Sequence, residues 1–242
     1  MRKDVYHKKY TLDSSGDHRP LNLFKLLSYL EDIAVDHAEA MGLGYEQMVR
    51  SQTFWVLTRQ KLNMDFWPQD GTIEVQTWSR SLKGISATRD FEIFYNEKKI
   101  GDSSTRWMVL DAVHRRPARP TIDHEIAVTR TDYELSYNAE KIEIQTEVQT
   151  IAEINVMPSD LDQNNHVNNT KYGQWLMNAV SDREEYSAGL KSYEINFMSE
   201  THLGDNVLIQ SKEISQKPSS TFYQGRRKGD QQILFVSTLT TA

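Results

Sequence analysis

Between Leu21 and Met41 the apolar residues Leu23, Leu26, Leu27, Leu30, Ile33, Ala34, Ala38 and Met41 recur at helical spacing, and Gly42 and Gly44 follow as stop signals. The spacing predicts one long amphipathic helix. After it the period changes to two. Thr53 to Phe66, Thr72 to Ser81, Ser86 to Tyr95 and Lys99 to Asp111 alternate apolar and polar positions and are rich in β-branched and aromatic residues, as strands are. Lys83-Gly84 and Asn96-Glu97-Lys98 suit hairpin turns, while Arg115 to Thr121, with Pro117 and Pro120, interrupts regular structure and begins a linker.

The second half repeats the plan. A strand-like segment at Ile142 to Val156 leads through a polar loop to a helix from about Asn168 to Ser181. Strands follow near Ser192 to Met198, Asn206 to Ser215, Thr221 to Arg227 and Gln232 to Thr240. Trp67-Pro-Gln-Asp-Gly-Thr-Ile-Glu-Val and Thr201-His-Leu-Gly-Asp-Asn-Val-Leu-Ile align with Thr72 over Asn206, an offset of 134 residues, and the same offset lays Ser86 over Ser220. This supports an internal duplication. A helix with one apolar face followed by an antiparallel meander suggests a curved sheet wrapped around its helix. The expected class is therefore α+β: a double, or tandem, hot-dog fold of two antiparallel sheets, each around a long helix. Residues 1–130 would form the N-terminal domain and 131–242 the C-terminal one.

At 242 residues, with 38% hydrophobic and 10% aromatic side chains, the chain can bury a substantial core. It has no apolar run near the roughly 20 residues a bilayer-spanning helix needs, and its start, MRKDVYHKKYTLD, lacks the apolar centre of a secretory signal, so a cytoplasmic location is expected. The formal charge of −6 disfavours nucleic acid and membrane surfaces as partners. The absence of cysteine excludes disulfides, thiolate metal sites and a cysteine nucleophile together. Basic clusters survive at Arg115, Arg116 and Arg119, at Arg226, Arg227 and Lys228, and at Arg80 with Lys83; taken singly, each reads as solvated surface.

The most unusual stretch is Met157-Pro-Ser-Asp-Leu-Asp-Gln-Asn-Asn-His-Val-Asn-Asn-Thr-Lys-Tyr172, a group of Asp and Asn around one histidine, directly before a helix. Such residues suit turns and helix N-caps, and the plain reading is a capped loop. If the loop is extended, however, the spacing of Asp162, Asn164 and His166 puts all three on one side. The helix behind it contributes backbone N–H groups and a positive dipole end, where negative charge is stabilised.

Asp162-Gln-Asn-Asn-His-Val-Asn-Asn-Thr-Lys-Tyr172 resembles the D-x-N-x-H-V-N-N-x-K-Y signature of acyl-ACP thioesterases, found in plant plastids and in related bacterial proteins. The likeness extends to overall length, to the helix that opens each half and to Phe54-Trp55-Val-Leu-Thr-Arg-Gln-Lys61, and with no transit extension before Met1 it favours the bacterial branch. It implies hydrolysis of an acyl thioester carried by acyl carrier protein, without a cofactor or metal. In the family the Asp, Asn and His work with a glutamate on the following strand. Phe197-Met-Ser-Glu-Thr201 matches that segment and makes Glu200 the candidate, with Glu194 and Asp205 nearby as alternatives. Plant relatives commonly carry a cysteine after the glutamate; Thr201 stands there in this chain.

Thioester hydrolysis needs an activated water and a place for the carbonyl oxygen's charge. His166 and Glu200 are assigned to water activation, with the proton acceptor left open between them. Asn164 can hold the water or polarise the carbonyl, and Asp162 can fix the loop or orient Asn164. Backbone N–H groups of Val167, Asn168 and Asn169 are the expected oxyanion site. Direct carboxylate attack to form an acyl-enzyme is the alternative route. No G-x-S-x-G elbow and no Gly-rich phosphate loop occurs, and His7, His18, His37, His114, His124 and His202 are scattered without ligand-like pairs.

The first half has Ser14-Ser-Gly-Asp-His-Arg-Pro-Leu-Asn22 before its helix instead of a second Asp-Asn-His group, so one active site per chain is expected. The first half would then bind the acyl chain, with Trp55, Trp78 and Trp107 lining a tunnel, although each taken singly reads as ordinary core. Arg115, Arg116 and Arg119 are the candidate patch for the anionic carrier protein. An acyl-CoA thioesterase, a non-catalytic acyl-thioester sensor and a hydratase or dehydratase are rival readings on the same fold, and a monomer or homodimer is expected.

Overall fold

The computed structural model describes residues 4–12, 21–80, 85–118, 129–162, 165–180, 189–216 and 218–242. The predicted helix is α1 (Leu23–Ala40). Asn22 caps it, its Oδ1 accepting from Lys25 N–H at 2.9 Å, and Leu23, Leu26, Leu27, Leu30, Ile33 and Ala34 form the buried stripe. Gly42, with φ of 66°, takes the chain out of the helix in the left-handed region. The first half also contains β1 (Tyr6–Leu12), a short α2 (Tyr45–Arg50), β2 (Thr53–Met64), β3 (Gly71–Ser79), β4 (Ser86–Tyr95) and β5 (Lys98–Asp111). The second contains β6 (Gln149–Asn155), α3 (Asn169–Ala179), β7 (Leu190–Phe197), β8 (Asn206–Gln216), β9 (Ser219–Arg227) and β10 (Ile233–Thr241).

The strand order is β1-β3-β4-β5-β2-β7-β10-β9-β8-β6. It reads the same from either edge once each first-half strand is matched to its counterpart: β1 with β6, β3 with β8, β4 with β9, β5 with β10, β2 with β7. The offset of 134 residues therefore corresponds to a repeat in space, a double hot-dog. One detail departs from the expectation of two separate sheets. β2 and β7 pair antiparallel, Arg59 opposite Asn196 through Asn63 opposite Ser192, and join the halves into one ten-stranded sheet. Lys61 and Glu194 face each other across that seam as an ion pair.

Both helices lie on one face of the sheet and against each other. A Cβ placed on Gly173 of α3 would meet Leu27 Cδ1 of α1 at 2.7 Å, so any larger residue would force the Leu27 side chain to shift at this close crossing. Residues 129–148 cross the opposite face. Arg80 and Asp90 form a two-pronged ion pair there (2.6 and 2.9 Å), and Arg80 also donates to the carbonyls of Leu135 and Tyr137. Asn196 bonds the chain again through Ile142 N–H and Glu140 O.

One strand is much shorter than the sequence reading, and two elements are additional to it. Ile142 to Val156 is a strand only over Gln149–Asn155, because its first residues spend their polar groups on this crossing. β1 was not predicted, although Tyr6, Lys8, Tyr10 and Leu12 share one face of it and Tyr10 and Leu12 are buried. α2 is too short to show a period. The Lys83-Gly84 turn and the end of the second helix at Ser181 lie outside the described residues.

Candidate active site

The polar loop is a closed turn. Asp162 N–H donates to His166 O at 2.8 Å, His166 N–H returns a bond to Asp162 Oδ1 at 3.2 Å, and Leu161 bridges Val167. Asn165 takes a φ of 60°, a conformation that asparagine tolerates better than most side chains. Asp162 and His166 are thus brought together by backbone closure, not by the alternation of an extended strand. Asn164 lies outside the described residues, so its expected place beside them does too.

Two further anchors hold the turn. Val167 N–H donates to Thr201 O at 3.1 Å, tying it to the segment after β7, and Asn168 N–H donates to Asp160 O at 2.8 Å. The expected oxyanion site therefore needs correction. The N–H groups of Val167 and Asn168 are consumed in holding the loop, and of the three only Asn169 N–H, the first of α3, is without a partner among the described residues. Asn168 caps α3 by accepting from Thr170 N–H at 2.8 Å, and its Nδ2 donates to both oxygens of Glu31 on α1, each at 3.1 Å. Burial raises the Glu31 carboxyl above the usual carboxylate range, and the Asn168 bond only partly opposes this.

Glu200 reaches the turn from the second half. Its Oε2 lies 3.6 Å from His166 Nε2, 3.8 Å from His202 Nε2 and 2.8 Å from an Arg115 guanidinium nitrogen. The His166 and His202 rings meet edge to face with centroids 5.1 Å apart. Arg227 fixes the backbone beneath, donating to Glu200 O at 2.7 Å and to Asp205 and Asp230. An open cavity of about 650 Å³ adjoins the group, lined by Leu110, Arg115, Ser199, Glu200, His202, Asp205 and Arg227. Of the alternatives to Glu200, Asp205 is taken up by Arg227 and by His202 N–H, and Glu194 by Lys61 on the β2–β7 seam.

His202 and Arg115 are the residues the sequence misplaces. His202 has no ligand-like partner in the sequence, yet among the described residues His166, Glu200 and His202 bring three possible metal-ligand atoms within 4.8 Å of one another. The Arg115 guanidinium already sits on the Glu200 oxygen such an ion would use, and its positive charge opposes a cation there. Arg115, although exposed, lines the open cavity and pairs with Glu200, while Arg116 is exposed on the same turn and Arg119 lies outside the described residues. Nothing in the local sequence marks Arg115, which stands 85 residues from its partner.

Thr201 is buried at 1% exposure, and its hydroxyl accepts from Tyr172 OH at 3.0 Å. The position after the glutamate therefore serves packing. Burial pushes the Tyr172 phenol up to about 12, which keeps it a donor.

The three tryptophans divide. Trp107 lines a narrow gap between α1, α3 and the sheet, with Leu27, Leu30, Glu31, Leu57, Phe91 and Asn169 around it. This gap holds about 20 Å³, room for a single water. Trp55 shares the strand face of Leu57 but sits further out, its indole N–H donating to Leu43 O. Trp78 does not belong to the tunnel. It is one residue out of phase with Ile73, Val75 and Thr77, so it faces the other side of the sheet, under Arg130 and Tyr133.

Comparison with known proteins places the chain in a family. Residues 3–129 match the family model described as the acyl-ACP thioesterase N-terminal domain, and residues 143–238 match that of the C-terminal domain. A palmitoyl-acyl carrier protein thioesterase, chloroplastic, from Arabidopsis thaliana is 25% identical over 227 residues, covering 86% of this chain and 54% of its own length. A dodecanoyl-[acyl-carrier-protein] hydrolase, chloroplastic, from Cinnamomum camphora is 25% identical over 234 residues, covering 87% of this chain and 60% of its own. The chain spans less than two thirds of the length of these curated relatives. Among solved structures, an acyl-ACP thioesterase from Bacteroides thetaiotaomicron superposes with a TM-score of 0.88 at 20% identity, covering 100% of both chains. The 12:0-ACP thioesterase from Umbellularia californica does so with a TM-score of 0.79 at 17% identity, covering 98% of this chain and 94% of its own. These structural likenesses show a shared fold. The two family models cover most of the sequence between them, and the chain belongs to the acyl-ACP thioesterase family.

Proposed function

We propose that this chain hydrolyses acyl-acyl carrier protein to a free fatty acid and the carrier's thiol. The observation that carries the reading is the approach of His166 Nε2 to Glu200 Oε2, 3.6 Å, beside an open cavity and next to the N-terminus of α3. A water hydrogen-bonded beside the two groups would attack the thioester carbonyl carbon and give its proton to one of them. The tetrahedral oxyanion would draw on Asn169 N–H, Asn164 and the helix dipole. As the C–S bond breaks, the electron pair leaves on sulfur, and the proton held by the protein passes to the thiolate. Asp162 closes the turn that carries His166, and the Glu31–Asn168 bond holds α3 at the correct distance.

The acyl chain would enter the first half between α1 and the sheet, with Trp107 moving aside. Family membership and the names of the relatives, which specify acyl carrier protein, support the carrier over CoA. A monomer or homodimer is proposed with it, because the β2–β7 seam completes the double fold within one chain. A cytoplasmic location is part of the same proposal and rests on the sequence alone; among the described residues no helix is long and apolar enough to cross a membrane.

The test is thiol release from a panel of acyl-ACPs and matched acyl-CoAs. Turnover on the carrier-protein thioesters in clear excess over CoA thioesters is expected. Preference for CoA would reassign the substrate, and binding without release on either would replace the enzyme with a sensor.

A further inference from the structure

Among the described residues Arg115 is the arginine that pairs with the Glu200 carboxylate, and it comes from the first half of the chain. Its guanidinium donates to Oε2 at 2.8 Å, the same oxygen that faces His166 Nε2 at 3.6 Å.

The backbone that presents Arg115 is built for the purpose. Asp111 Oδ1 accepts from the N–H groups of Val113 and His114, Asp111 N–H donates to Arg116 O, and Arg115 N–H donates to Asp111 O at 3.0 Å. Within this turn Arg115 has a φ of 53°, a conformation that costs a non-glycine residue free energy and persists only where the surroundings over-determine it. The guanidinium then rests 5.1 Å from the centre of the Phe54 ring on β2, which narrows the positions open to the side chain. A surface arginine meant for diffuse attraction needs neither the strained backbone nor the aromatic rest.

We propose that Arg115 is a positioning residue for the reaction: it holds the Glu200 carboxylate turned toward His166, so that the first half completes the active centre of the second. This rests on the hydrolase reading given above. It differs from a carrier-docking role for the same arginine, since docking acts on encounter and positioning acts on the chemical step.

Steady-state kinetics of acyl-ACP hydrolysis with Arg115→Ala and Arg115→Lys separates the two. Positioning predicts a kcat lower by about 10-fold for Ala, the scale of one lost charge-assisted hydrogen bond at a partly exposed site, with KM and its salt dependence unchanged. The Lys variant recovers part of kcat, because its ammonium restores the charge but not the planar contact with Phe54. Equal thermal melting of the two variants and the parent excludes unfolding as the cause. A raised KM with a shallower salt dependence and unchanged kcat overturns the proposal in favour of docking, and unchanged kinetics overturns it outright. No turnover by the unmodified chain would instead overturn the hydrolase reading, and this inference with it.

Discussion

Asn168 Nδ2 donates to both carboxylate oxygens of Glu31, 3.1 Å each, and so ties the cap of α3 to the middle of α1. Because burial raises the Glu31 carboxyl, the folded state binds its proton more tightly than the unfolded chain does. Stability from this group is therefore greatest below the ordinary glutamate range and is lost as pH rises through that range toward the raised folded value. Glu31→Gln removes the titration. Its melting temperature relative to the parent is expected to climb as pH rises above the ordinary glutamate range. A difference that stays flat with pH contradicts the assignment.

Gly225 on β9 lies opposite Phe235 on β10, and a Cβ built there would stand 2.0 Å from Phe235 Cε1. The ring is fully buried and has no room to retreat. Gly225→Ala is expected to destabilise the fold by about 1–3 kcal/mol, the cost of overpacking a dense core. Urea denaturation measures it, and an unchanged midpoint would show that the strands part easily.

Thr201, the residue after Glu200, is buried against Tyr172. Thr201→Val leaves the phenol without its acceptor and is expected to cost about 1–3 kcal/mol of stability while preserving turnover. Loss of turnover in a variant that still melts cooperatively would assign the hydroxyl a chemical role.

Trp107 and Trp78 make a matched pair, one in the gap beside α1 and the other on the far face of the sheet. Truncating Trp107 to Leu enlarges the gap and is expected to move hydrolysis toward longer acyl chains, while Trp78→Phe leaves the chain-length profile where it was. Profiles from both variants on one acyl-ACP panel decide this. Coincident shifts would contradict the proposed tunnel.

The legible parts of the molecule were those with a local period or a local motif. α1 followed from its apolar stripe, the strands from alternation, and the repeat from the aligned Trp67 and Thr201 segments. Trp78 could have been excluded from the tunnel by the same alternation, since it is out of phase with Ile73 and Val75. The turn at Asn165 also had a local sign, an asparagine-rich loop suited to positive φ. Arg115 and Glu31 were illegible as partners because their contacts depend on how the halves pack, whereas His202 stands two residues after Glu200 and meets His166 only through the fold of the second half. No spacing rule reaches from Arg115 to Glu200 or from Glu31 to Asn168.

The central claim is that His166 and Glu200 together activate water. Its most direct measurement is the single-turnover rate of thioester cleavage on acyl-ACP by the parent chain and by His166→Gln and Glu200→Gln, each checked for an unchanged melt. The account predicts a loss of about 10²–10⁴-fold in each variant, the usual contribution of a positioned acid–base group. A variant of either residue that cleaves at the parent rate would contradict it.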